Sequence, residues 1–123
     1  MIPGRDDERI ALAHALLVAL EPDDVPSLDV IRVGTLTHGI EASTDRGVIV
    51  INKRGDFYMR DGIFALALLI HHEHQHASHF ADETHALAAS YTFCQRHGAP
   101  KWLTLRVLAE WRRHQQQERE VSL

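Results

Sequence analysis

The chain carries a single cysteine, Cys94, among its 123 residues. An intramolecular disulfide is therefore excluded, which suits a reducing cytoplasm, and Cys94 reads as a small core residue in an apolar helical stretch. The first apolar stretch, Ile10 to Leu20, is interrupted by His14 and is too short to span a bilayer. The residues before it, Met-Ile-Pro-Gly-Arg-Asp-Asp-Glu-Arg, are acidic where a secretory leader is basic. A cytoplasmic protein without a membrane partner is expected. Positive charge is also scarce: 13 Lys and Arg stand against 17 Asp and Glu, a formal net charge of −4. That balance gives no footprint for nucleic acid. Arg106, Arg112, Arg113 and Arg119 cluster late in the chain, but Glu110, Glu118 and Glu120 interleave with them, as on a solvated helix face. There are no repeats and no low-complexity linker, so the length fits one domain.

Histidine is abundant, with ten residues. Residues 71–76 read His-His-Glu-His-Gln-His, and from His72 they spell H-E-x-x-H. On a helix, positions i and i+4 share a face, so His72 and His76 can direct their imidazoles at one ion. Glu73 stands beside them, able to reach a water on that ion. Two imidazoles and an adjacent carboxylate are the elements of hydrolysis by zinc-activated water. A His-rich helix end also produces such spacing without any metal. The preceding residues weigh against that reading, because Ile63 to Ile70 is an unbroken apolar run. A helix apolar all round is buried, and ionisable residues on its continuation call for partners or a metal.

Asp6 or Asp7 is read as the cap of a first helix reaching about Leu20, with Ile10, Ala13, Leu17 and Leu20 as its apolar stripe. The acidic, proline-containing segment 21–26 is a loop. Val30 to Thr37 reads as a strand that can continue with a bend to Ala42. Asp45-Arg46-Gly47 is a turn before the strongest strand, Val48 to Asn52, and predicts an antiparallel hairpin. A second turn at residues 53–56 leads to the core helix, capped by Asp61 and ending between Ser78 and Ala81. Asp82 caps a helix from Glu83 to about Arg96, closed by Gly98, with Ala86, Leu87, Ser90, Phe93 and Cys94 inward. Pro100 opens a last helix to about Gln117 with Trp102, Leu105, Leu108 and Trp111 inward, and the polar tail from Gln115 frays. The order α-β-β-α-α-α defines an α+β domain. Trp102 and Trp111 on one helix also leave room for a homodimer face.

A catalytic zinc takes three protein ligands. Glu83 leads as the third, with Asp82 and His79 as competitors. On an unbroken helix Glu83 would lie roughly 10 Å beyond His76 along the axis, so the chain must bend for Glu83 to return. No glycine or proline between His76 and Asp82 forces that bend.

The stretch Leu68-Leu69-Ile70-His71-His72-Glu73-His74-Gln75-His76-Ala77, followed by Asp82-Glu83-Thr84-His85-Ala86-Leu87, resembles a zincin metallopeptidase. It is most similar to small gluzincin-like (minigluzincin-type) domains, in which a glutamate ligand on the next helix opens an E-x-x-A pattern, here Glu83 to Ala86. In the metzincin pattern the third ligand would fall at Asp82, with glycine where this chain has His79. The resemblance implies Zn²⁺ held by His72, His76 and Glu83, with Glu73 as general base. It also implies a peptide or protein substrate paired to an edge strand, a role for which the hairpin of Val48 to Asn52 is the candidate. Tyr58, Tyr91, His85 and His79 are candidate oxyanion donors, and His71 and His74 are read as flanking or supporting residues. Two rivals stand beside the peptidase. One is an inactive zinc-binding module that works by interaction. The other is a di-iron carboxylate protein built on Glu73-x-x-His76 and Asp82-x-x-His85.

Overall fold

The computed structural model describes residues 5–122, and the side chains of residues 8–120. The described elements are α1 (Arg5–Leu20), a 3₁₀ turn (Leu28–Val30), β1 (Ile31–Gly34), β2 (Ala42–Asp45), β3 (Val48–Asn52), α2 (Asp56–Met59), α3 (Ile63–His79), α4 (Glu83–His97) and α5 (Lys101–Ser122). This is an α+β arrangement. No helix among the described residues is long and apolar enough to cross a membrane.

Helix α3 organises the rest. Residues Ala65 through Ile70 are all buried, as an apolar run without a polar face requires. It packs against α1 on one side and α4 on another, with β2 and β3 also against it. Ile10, Ala13 and Leu17 of α1, Ile49 and Ile51 of β3, and Phe93 and Cys94 of α4 join it in one apolar cluster. The buried faces of α1 and α4 follow the helical spacing read from the sequence.

The sheet departs from expectation. Val30 to Thr37 does not form one strand: β1 stops at Gly34 and pairs parallel with β3, Ile31 lying opposite Ile49. The antiparallel hairpin does form, but its first arm is β2, with Asp45 opposite Val48. Arg46 and Gly47 have φ of 52° and 80°, the positive values that a tight two-residue hairpin turn demands. The segment between β1 and β2 is diverted by the buried Asn52. Its Nδ2 donates to the Ile40 carbonyl at 2.7 Å, and its Oδ1 accepts from the Leu36 amide at 3.3 Å. Backbone groups held by a side chain leave the ladder. The strand order is β1-β3-β2, so β3 is central and β2 forms an edge.

Three helix boundaries are corrected. Helix α1 already contains Asp6 and Asp7, so neither is its cap, and their side chains lie outside the described residues, as do residues 1–4. Gly62, not Asp61, is the cap residue of α3; Asp61 accepts instead from Arg106 Nη1 at 2.9 Å. Residues 56–59 form the single turn of α2 where only a connection was expected.

The inward face of α5 is also displaced from the expected one. Leu103 and Val107 are buried, whereas Trp102 and Leu105 are about half exposed. Pro100 sits one position ahead of the helix, its carbonyl accepting from the Thr104 amide at 3.1 Å. The i, i+4 seam through Leu103 and Val107 turns Trp102 outward, and Trp111 rests on the Tyr91 ring at 5.7 Å. The helix continues to Ser122 past the point where fraying was expected. Leu103→Ala should therefore cost about 3 kcal/mol in urea unfolding, and Trp102→Ala less than about 1 kcal/mol. Equal losses would show that the seam is misplaced.

Candidate metal centre

The last two turns of α3 bring the histidines out of the core at different angles. His72 and His76 lie on the face towards α4, with ring centroids 5.0 Å apart and planes at 82°. Helix α3 ends at His79 because Phe80 takes the left-handed conformation, φ 53° and ψ 29°. The amides of Phe80 and Ala81 both turn back to the Gln75 carbonyl. This is the bend that no glycine announced. A bulky residue in that region is strained by about 1–2 kcal/mol, and surrounding contacts must hold it there. Asp82 then caps α4 as expected, its Oδ1 accepting from the His85 amide at 2.8 Å. Glu83 enters as the first residue of α4 and swings back over His72 and His76.

The result is a three-residue cluster. Glu83 Oε1 lies 2.8 Å from His72 Nε2, and Glu83 Oε2 lies 3.5 Å from His76 Nε2. One candidate ligand atom from each of the three falls within 4.8 Å of the others. The hydrogen bond from His72 holds the Glu83 carboxyl below the usual carboxylate range, against the effect of burial, and the charges of His72, His76 and His114 reinforce it.

The outer nitrogens carry a test of whether a metal fits. His76 Nδ1 lies 2.7 Å from the Ala81 carbonyl, which can only accept. Nδ1 therefore carries a proton, and Nε2 is the atom that faces the Glu83 carboxylate. In its neutral form His76 would offer that Nε2 lone pair to a cation shared with Glu83. His72 Nδ1 is held by Ser90 Oγ at 3.1 Å, deep in α4, where Ser90 is otherwise a polar residue in an apolar face. Outer-nitrogen hydrogen bonds of this kind orient metal-binding imidazoles. The donor set of two imidazoles and a carboxylate suits zinc.

Glu73 points into the same cleft, a volume of about 480 Å³ also lined by His72, Glu83 and Glu41. Thr44 Oγ1 donates to Glu73 Oε2 at 2.7 Å, so the edge strand β2 positions this carboxylate. The strand Val48 to Asn52, expected at the edge, is paired on both sides, and β2 lies at the edge beside this cleft.

The other candidates disperse. Asp82 turns away to its cap and to the His85 ring at 2.7 Å. His79 reaches Asp24 at 2.7 Å instead. Tyr58 is buried beneath Arg9, and Tyr91 stacks on Trp111 and accepts from Gln95 at 3.0 Å. In their place α5 supplies Arg106, Arg113 and His114 to the cleft wall. From sequence alone Arg106 and Arg113 belong to a solvated face, and His114 has no assigned role. The signal was present in the spacing, because His114 continues the Leu103–Val107 seam by seven residues.

His71 occupies a different environment. It is buried against the Phe93 ring, with centroids 4.7 Å apart, and its Nε2 lies 3.4 Å from Gln75 Nε2. Burial pushes its pKa down from 6.5 to about 4, against the pull of Asp24 and Glu21. The unfolded chain thus binds more protons than the folded one between those values, and stability falls as pH drops through that window. In chelator, to remove any metal contribution, the wild-type protein should lose about 2 kcal/mol more than His71→Leu between pH 7 and pH 5. Parallel pH profiles for the two proteins would contradict the buried neutral assignment.

Comparison with known protein families, curated proteins and solved structures finds no match to this chain. The geometry therefore stands alone. Glu83→Ala should release the zinc held by His72 and His76, one ion per chain, in competition with a chromogenic chelator, whereas Asp82→Ala should release none. Ser90→Ala should weaken zinc about 10-fold through loss of imidazole orientation. A site insensitive to Glu83→Ala would remove it from the ligand set.

Proposed function

We propose that the protein is a zinc-dependent metallopeptidase of zincin type. The observation that supports the reading most is the return of Glu83 onto the His72–His76 pair while both outer imidazole nitrogens are engaged elsewhere. His72, His76 and Glu83 would hold Zn²⁺, which supplies polarisation of a carbonyl and activation of water.

The chain's own groups account for the remaining work. Glu73, held through Oε2 by Thr44, keeps its other carboxylate oxygen to accept a proton from the attacking water. It then returns that proton to the amine nitrogen of the broken peptide bond. The open edge of β2 offers backbone groups to an extended peptide, which would lie beside the cleft. His114, Arg106 and Arg113 on α5 are cationic or hydrogen-bonding groups facing the cleft, suited to the negative oxygen that develops on the cleaved carbonyl.

A second reading, a zinc-binding module without activity, draws on the 8% exposure of Glu73 and its bond to Thr44. One experiment separates the two. Zinc-loaded wild type should cleave an unstructured casein substrate, and Glu73→Gln should lower turnover at least ~100-fold while retaining zinc. Equal turnover in both proteins would refute the mechanism. No cleavage by zinc-loaded wild type would favour the inactive module.

A further inference from the structure

The two remaining histidines at the end of α3 meet a partner that the sequence did not connect to them. His74 is two residues from both His72 and His76, so helical rotation of roughly 200° places it on the opposite face of α3. There its Nε2 lies 3.0 Å from Asp24 Oδ1. His79 Nε2 lies 2.7 Å from the same oxygen. Asp24 comes from the loop after α1, some fifty residues earlier in the chain. One candidate ligand atom from each of these three residues falls within 4.8 Å of the others.

The arrangement repeats the geometry of the first cluster. The His74 and His79 rings are 5.6 Å apart with planes at 77°, close to the values for His72 and His76. The supporting contacts also repeat. Ser78 Oγ lies 3.1 Å from His74 Nδ1, and Gln75 Nε2 donates to Asp24 Oδ2 at 3.2 Å. Each bond fixes the far atom of a ligand and leaves the near atom aimed at the common centre. His74 is almost fully buried, whereas the His79 side chain is about half exposed, so the centre opens to solvent on one side.

We propose that Asp24, His74 and His79 form a second divalent-metal site, distinct from the His72–His76–Glu83 cluster. Two imidazoles and a carboxylate favour zinc or a similar borderline cation, with water completing the shell on the exposed side. The ion would fasten the loop after α1 to the last turn of α3, next to the strained Phe80 turn that delivers Glu83. The site is structural: Glu73 is turned about 100° away around the helix, where Thr44 holds it.

Zinc stoichiometry by elemental analysis of the full chain, after chelation, reloading with zinc sulfate and desalting, tests the proposal. Wild type should retain about two zinc ions per chain, and His79→Ala and His76→Ala about one each. His79 is exposed, and circular dichroism should report an unchanged fold for His79→Ala. One zinc in wild type, lost in His76→Ala and kept in His79→Ala, would overturn the second site while leaving the proposed peptidase centre standing. One zinc lost only in His79→Ala would do the reverse. No zinc in wild type would overturn both.

Discussion

The hydrogen bond between His76 Nδ1 and the Ala81 carbonyl joins a histidine on one helix to the backbone of the turn leading into the next. Much of the site follows from it. It engages a carbonyl just beyond the helix, where carbonyls otherwise lack intrahelical partners. It sets the tautomer of His76 and so the atom that faces Glu83. It also supports the left-handed Phe80, a conformation that a phenylalanine does not adopt without surrounding restraint. Without this reversal, Glu83 would continue away along the axis of α3, and no third donor would reach the His72–His76 face.

The rigidity behind this turn comes from the core. Helix α3 is apolar on every side until Ile70 and is then polar at nearly every position. A helix enclosed by α1, α4 and the sheet cannot rotate or tilt without opening cavities, so the orientations of its last two turns are fixed by packing below them. Histidines leaving such a helix at successive 100° steps face three environments. His71 meets Phe93 and stays neutral, His72 and His76 meet Glu83, and His74 meets Asp24. The same side chain therefore becomes a buried core residue or a candidate ligand according to which element packs opposite it.

The sheet contributes by position more than by size. Asn52 removes the loop after β1 from the ladder, so β2 rather than β1 becomes the antiparallel arm of the hairpin. That choice puts Thr44 over Glu73 and leaves β2 at the edge. Helix α5 closes the other wall with Arg106, Arg113 and His114. These groups are remote from H-E-x-x-H in the chain, and they share a cleft with it only through the packing of α5 on α4.

Local sequence determined what local physics governs. The apolar run of α3, the stripes of α1 and α4, the Asp82 cap and the Arg46-Gly47 turn all depend on contacts within a few residues, and they were readable as such. The pairing of His72 with His76 belongs to the same class, because helical periodicity alone sets it. The inward face of α5 was misassigned because its amphipathic pattern admits more than one phase, and packing against α4 selected the Leu103–Val107 seam. The parallel pairing of β1, the turn at Phe80 and the meeting of Asp24 with His74 and His79 were settled only by tertiary structure. Each joins groups distant in sequence or stabilises a locally unfavourable conformation, and the compensating contacts exist only once the core has formed.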